Sequence, residues 1–440
     1  MLRKSLLLLL ALPLMMAAQS SRWIESDSLK AINERIARDF PITVEEGKQQ
    51  ILKLYPSLTP AQVDDYITKG YIETLEINGK NMMYRKSPRN LPLIAKDMRE
   101  ADGWFYRGSQ APYVRRSMAK YTIDSSKGEG EPVVPQRVTI NFKVTVPYDP
   151  ALEGDTLRVW MPYPLETARQ SNVTLDYVSQ PDYILSTPDR SVHSTIYMEA
   201  PAKKDGNTFE ITVNYDVAAQ YFSPEFILSN LKPYDKSSQV YQKYTAFDGP
   251  HYKYLPIAKE IVGNETNPFR QSEMVYDWII ERYPWAGARE YSTLDCIPQY
   301  VLDHGYGDCG QVSLLYISLM RSLGVPARWE SGWMLHPGEK NYHDWAEVYF
   351  EGVGWVPVDT SFGRYRHDSD QRVHNFHSTG QDNYRFASNN GIGGQLYPEK
   401  KFVRSETVDF QAGEVETSKG NLFYPLWDSQ FTIVSMKPLK

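Results

Sequence analysis

Between residues 22 and about 70, apolar positions recur at helical spacing: Leu29, Ile32 and Ile36, then Ile51, Leu52, Leu54, Val63, Tyr66 and Ile67, with breaks at Pro41 and Pro56. This pattern predicts a small helical module. From Tyr71 to Tyr84 the spacing changes to alternation around Asn78-Gly79, a dipeptide suited to a two-residue hairpin turn because both central positions take positive φ. Helices followed by a hairpin are compatible with a winged-helix-like unit. The acidic balance of the chain argues against a DNA role, so the module (22–124) reads as a scaffold or docking piece.

Ser125 to Pro135 is rich in Ser, Gly, Glu and Pro and reads as a linker. Beyond it, Val138–Val146, Leu157–Met161 and Phe209–Tyr215 alternate as short strands separated by turn-rich stretches, which predicts a structural β-sandwich over 136–228. From about Tyr252 the pattern is mixed. Helices are expected over Ser272–Glu281 and Val312–Leu323, then a hairpin over Trp345–Val358. The expected fold class is therefore α+β, with a mixed helix-and-strand core over 250–400 and a C-terminal extension, 401–440, packing on that core.

The first twenty residues differ from all of this. Arg3 and Lys4 precede the apolar run Leu6–Leu14, followed by small residues suited to cleavage. That is the form of a secretory signal peptide (1–20), and the run is short of the ~20 apolar residues that span a bilayer. The expectation is an exported chain with no stable membrane span after cleavage. A net charge of -6 supplies no basic field for nucleic acid. With only two cysteines, Cys296 and Cys309, disulfides are not what holds the fold together. Cys296, in the apolar and helical stretch 294–297, reads as a small buried thiol.

Candidate chemistry centres on Gly307-Asp308-Cys309-Gly310-Gln311, which opens an apolar helix ending at Gly324 and Pro326. Asp308 and Gln311 have the spacing of a capping box, placing Cys309 on the first turn. There the helix dipole favours thiolate, and backbone N–H groups can face an oxyanion. His343 opens a strand in which Ala346, Val348 and Phe350 alternate with Trp345, Glu347 and Tyr349. Reflecting His343 through a turn near Gly352 gives residue 361, two positions from Asp359, within side-chain reach in an antiparallel pair. The hairpin alone thus pairs His343 with Asp359; bringing in Cys309 requires the tertiary fold.

Four motifs in order, Gly307-Asp308-Cys309, Gly324-Val-Pro-Ala-Arg328, His343-Asp-Trp-Ala-Glu-Val-Tyr349 and Gly354-Trp-Val-Pro-Val-Asp-Thr360, resemble the transglutaminase-like core of papain-like thiol enzymes. Ser361 departs from the family's usual Asp-Pro-Thr ending. The resemblance implies a catalytic triad: Cys309 as nucleophile forming a thioester from a peptide or glutamine-type amide, His343 as acid and base, and Asp359 orienting the imidazole. Hydrolysis is expected over amine transfer, with a peptide or protein substrate and neither cofactor nor metal.

Alternatives stay open. One is a non-enzymatic exported binding or scaffold protein with the same core; another is an amidase acting on peptide-linked glycans. Tyr283, Trp285 and Gln299 are candidates for an oxyanion donor. The segment from Arg366 to Arg385, with His367, Asp368, Asp370, His374 and His377, reads as a solvated polar loop rather than a cation site. A helical metal pair at His343 and Glu347 conflicts with the strand pattern.

Overall fold

The computed structural model describes residues 28–98, 111–247, 252–365 and 368–439; the expected signal peptide (1–20) and His367 lie outside them. The fold is α+β. Among the described residues no helix is long and apolar enough to cross a membrane.

Helices Val44–Leu54, Pro60–Thr68 and Ser87–Ile94 form the N-terminal module around Ile51, Val63, Tyr66, Met83 and Leu91, with Ser28–Asp39 tied to it by the Asp39–Arg85 pair. Its hairpin pairs Thr74–Ile77 with Lys80–Met83 across Asn78 (φ 50°) and Gly79 (φ 74°), the turn the dipeptide predicts. The module docks on the segment just upstream of Cys309. Asn90 exchanges hydrogen bonds with Gly287 at 2.8 and 2.9 Å, Arg35 pairs with Glu290 at 2.7 Å, and Glu73 pairs with Arg289 at 3.1 Å.

Two antiparallel sheets face each other as a β-sandwich. One is built on Val133–Val146 and Asn207–Tyr221, the other on Thr156–Pro162 and Thr195–Pro201. Alternate residues Val138, Ile140, Phe142 and Val144 meet Val159, Met161, Ile196 and Met198 between them. The sequence reading had 401–440 as an extension packing on the core. In the structure Asp428–Pro438 pairs along Val133–Val146, with Phe431 opposite Phe142, and Glu414–Glu416 pairs with Thr156–Pro162. The extension thus completes the sandwich, and it also reaches the core, where Phe431 stacks on Trp333 at 4.4 Å.

The core sheet is antiparallel in the order Gly354–Val358, Asn341–Phe350, Ala327–Met334, Arg385–Asn389. The helix Cys309–Ser322 lies on one face, burying Val312, Leu315, Tyr316 and Leu319 against Trp329, Ala346, Val348 and Phe350. The sandwich core continues along that same face beyond the helix, through Trp333, Leu335 and Phe386. On the opposite face Trp345 and Glu347, the polar-aromatic side of the His343 strand, are buried instead of solvated, under Arg169, Arg328 and Arg385. Arg169, from the sandwich, bonds Glu330 at 2.6 Å and Glu347 at 2.8 Å across this junction.

Gly332 sits opposite His343, and a Cβ there would lie 1.9 Å from the Phe386 carbonyl oxygen. Only glycine lets the Arg385–Asn389 strand approach this closely beside the site.

Candidate active site

Asp308 caps the Cys309 helix as its spacing predicts: the Gln311 N–H donates to Oδ1 at 3.1 Å, while the Gln311 side chain accepts from the Asp308 N–H at 3.3 Å. Cys309 is therefore the first residue of the helix. The same cap engages one of the N–H groups that the sequence reading had offered to an oxyanion.

The hairpin register holds. Ala346 pairs with Val358, which extends His343 toward position 361, and His343 Nε2 lies 2.7 Å from Asp359 Oδ2. Asp359 is held on three sides, since its carboxylate also accepts from the Ser361 N–H at 3.1 Å and from Arg385 at 2.9 Å. Burial opposes ionisation of Asp359, but His343 and then Arg385 hold its carboxyl well below the usual carboxylate range. Burial, outweighing the pull of Asp359, lowers the imidazole from its ordinary value. At neutral pH this gives a neutral ring with its proton on Nε2 facing a carboxylate, and a lone pair on Nδ1. Phe362 stacks on the ring at 4.8 Å, fixing its plane.

Cys309 has a different partner. Its thiol donates to Asp344 Oδ2 at 3.3 Å, and the imidazole is not among its hydrogen-bond partners. Asp344 follows His343 in the strand, so alternation directs it to the helix-covered face, where Gln411 Nε2 donates to its Oδ1 at 2.6 Å. The structure thus joins His343 with Asp359 on one face of the strand and sets Cys309 against Asp344 on the other, so it does not bring the thiol to the imidazole.

The expected thiolate is not favoured in this arrangement. Burial, then Asp344 and Asp308, push the thiol well above its ordinary value. A helix dipole contributes ~0.3–1 kcal/mol, under one pH unit. Burial alone opposes the thiolate, and a carboxylate about 4 Å away adds roughly 4 kcal/mol when ionised, at the effective dielectric of a protein surface, so the helix dipole is outweighed. Asp344 is itself pushed up by burial and then by Asp409 and Asp308; Asp409 is pushed up by burial to about 6.

Asp344→Asn keeps the shape and removes a charge that opposes the thiolate. It is expected to speed alkylation of Cys309 by about tenfold for each pH unit by which the thiol falls. The gain should be largest on the alkaline side, where Asp344 is ionised in the wild type. Alkylation rates that match the wild type from pH 6 to 9 would show that Asp344 does not restrain the thiol.

The other candidates separate. Trp285 is 37% exposed and bridges Gly307, beside the Cys309 turn. Tyr283 packs on Trp278 at 5.2 Å, and Gln299 bonds Asp303 at 2.8 Å on the exposed side of its helix. Cys296, expected to be buried in a helical stretch, is half-buried at the N-cap of Ile297–His304, with its sulfur 3.2 Å from the Tyr254 hydroxyl; both cysteines are free thiols.

The segment read as a solvated loop instead contains two short helices, Gln371–His374 and Phe376–Thr379. Asp370 caps the first, and Asp368 pairs with Arg116 at 2.6 Å. His374 Nδ1 lies 3.2 Å from the Tyr365 carbonyl oxygen. His377 is fully buried, 2.9 Å from the Tyr365 hydroxyl, and its backbone carbonyl accepts from the Asp359 N–H. Among the described residues no group of three or more His, Cys, Asp or Glu side chains is placed to hold a metal ion.

Asp344, Arg385 and Gln411 were missed by sequence reasoning. Asp344 carried a signal: it shares parity with Ala346, Val348 and Phe350, and a carboxylate on an otherwise apolar stripe calls for a partner.

This site lies within a transglutaminase-like domain: residues 256–360 match the model of the transglutaminase-like superfamily. An uncharacterized protein of Haemophilus influenzae is 30% identical over 159 residues, which cover 29% of this chain and 41% of that protein. The protein YebA of Bacillus subtilis is 28% identical over 182 residues, covering 34% of this chain and 23% of YebA. The chain therefore spans less than half the length of either relative. Among solved structures, a candidate cysteine protease from Cytophaga hutchinsonii aligns with a TM-score of 0.44 at 14% identity, covering 69% of this chain and 91% of that one. The periplasmic domain of TgpA from Pseudomonas aeruginosa, bound to ethylmercury, aligns with a TM-score of 0.25 at 14% identity over 60% of this chain and 97% of that domain.

Proposed function

We propose that this protein is an exported thiol hydrolase that cleaves peptide or glutamine-type amides through Cys309, His343 and Asp359. The observation that carries the reading is the 2.7 Å bond between His343 Nε2 and Asp359 Oδ2, one residue along the strand from the Asp344 that holds the Cys309 thiol. In this reading substrate entry rearranges the site, the thiol leaving Asp344 and the imidazole coming within reach of it through the free Nδ1. Nδ1 takes the thiol proton as sulfur attacks the carbonyl carbon, then returns it to the leaving amine, leaving a thioester. Asp359 holds the imidazole in the tautomer that both transfers require.

Water resolves the thioester in this reading, because it outnumbers any free amine unless a site concentrates one. The proposed organisation is the sequence-derived one, a signal peptide (1–20), an N-terminal module (22–124), a sandwich (136–228) and a catalytic core (250–400), with the sandwich extended by the C-terminal strands.

The test is turnover of a peptide-amide library by the purified mature protein, with and without a primary amine. Amide cleavage that is lost in Cys309→Ala, with no amine incorporation, is the expected result. Amine-dependent product would make the protein a transferase. Identical traces for the wild type and Cys309→Ala across the library would favour the non-enzymatic scaffold reading.

A further inference from the structure

We infer that Arg385 is a positioning residue for the His343–Asp359 pair, sharing Asp359 Oδ2 with the imidazole and so keeping His343 a neutral base. The inference rests on the assignment of His343 and Asp359 proposed above. Arg385 opens the strand Arg385–Asn389, opposite Met334, and is 1% exposed. Its terminal nitrogen donates to Asp359 Oδ2 at 2.9 Å, the same oxygen that lies 2.7 Å from His343 Nε2. The guanidinium carbon sits 5.0 Å from the ring centres of both Trp345 and Phe362, and Phe362 is the ring stacked on His343. Two aromatic faces and a carboxylate therefore fix the cation from three directions.

One carboxylate oxygen facing two donors has a chemical consequence. Facing Asp359 without a competing cation, an imidazolium would be better stabilised, so the midpoint of the ring would lie higher and less of it would be free to accept a thiol proton near neutral pH. A permanent cation on the same oxygen takes up part of that stabilisation while keeping Asp359 ionised. Other groups also face this pocket. Asp382 lies 3.8 Å from Arg385 Nε and 2.9 Å from His336 Nε2. His377 and Tyr365 come from the segment after Asp359, and Arg115 from the helix Ala111–Ser125 lies 4.5 Å from the Phe362 ring centre. Burial keeps His336 and His377 neutral, so the charges facing His343 include Asp359, Asp382, Arg385 and Arg115, the last paired with Glu339.

The test follows the side-chain nitrogens of 15N-histidine protein by NMR across pH, with His343 assigned from the signal missing in His343→Gln. Arg385→Gln and Arg385→Met are expected to raise the His343 midpoint by roughly one unit, while Arg385→Lys leaves it near the wild-type value. On a peptide amide that the wild type cleaves, the neutral variants should lose kcat with little change in KM, and their acidic limb should move to higher pH. A purely structural role would lower the folded fraction without moving the midpoint of the molecules that remain folded. Folded neutral variants with an unmoved midpoint would overturn the inference. If neither neutral variant folds, Arg385→Lys decides: a midpoint displaced by more than about one unit would show that charge at this position does not set it. These midpoints are read without any enzyme activity, so an inert Cys309 would sink the proposed function and leave this measurement interpretable.

Discussion

His343→Ala is expected to lower amide turnover by roughly 10²–10⁴-fold, the usual contribution of a positioned acid and base, with the loss in kcat and a nearly unchanged KM. The physical reason is the thiol's surroundings. Burial and two carboxylates hold Cys309 protonated, so without Nδ1 no neighbouring group in the proposed mechanism takes its proton. Circular dichroism and thermal unfolding should be near wild type, because the alanine removes one buried ring from the end of a strand that keeps its ladder. Steady-state kinetics with the best amide substrate checks this. Turnover within threefold of the wild type would remove His343 from the mechanism.

The largest stability effect is expected at a residue far from the thiol in sequence. Arg169→Ala should cost about 3–5 kcal/mol of unfolding free energy, the typical consequence of removing one partner from a buried ion pair. Arg169 spans two carboxylates, Glu330 and Glu347, and is further anchored by Gln220 at 3.0 Å. Glu330 also accepts from the Trp345 indole at 2.6 Å, and Arg328 pairs with Glu347 at 2.6 Å.

Burial opposes ionisation of Glu347, yet Arg169 and then Arg328 bring its pKa down to about 2. A depressed carboxylate contributes stability that is complete above its unfolded value of roughly 4.3 and is lost as pH falls toward the folded value. The gap between wild type and Arg169→Ala should therefore narrow on acidification from pH 7 to 3. Urea titrations at several pH values measure this directly. A gap below about 1 kcal/mol at pH 7 would contradict the role assigned to Arg169.

What could be read from the sequence was local. Asn78-Gly79 dictates its turn because both residues take positive φ. Asp308 and Gln311 dictate a helix start, and reflection through Gly352 pairs His343 with Asp359 since an antiparallel hairpin has a single register once its turn is fixed. What could not be read depends on contacts between distant segments. Phe431 pairs with Phe142 from 289 residues away, and no periodicity in either strand names its partner. Arg169 meets Glu330 and Glu347 only because the sandwich packs against the core sheet, and Arg385 reaches Asp359 from a strand added beyond that hairpin. The Asp344–Cys309 contact lay between these extremes: strand alternation assigned Asp344 a face, but the helix above that face was needed to bring the thiol to it.

The most direct measurement is the pH dependence of iodoacetamide labelling, followed by intact mass and peptide mapping in the wild type, Cys309→Ala and His343→Ala. The account predicts labelling near neutral pH that maps to Cys309 and is slow, because burial and two carboxylates hold the thiol protonated. It should be absent in Cys309→Ala and slowed at least tenfold further in His343→Ala, since only the arrangement in which Nδ1 takes the thiol proton reacts. Labelling of Cys309 that is equally fast with and without His343, or a Cys309 that stays unlabelled in the folded wild type, would contradict an imidazole-activated thiol.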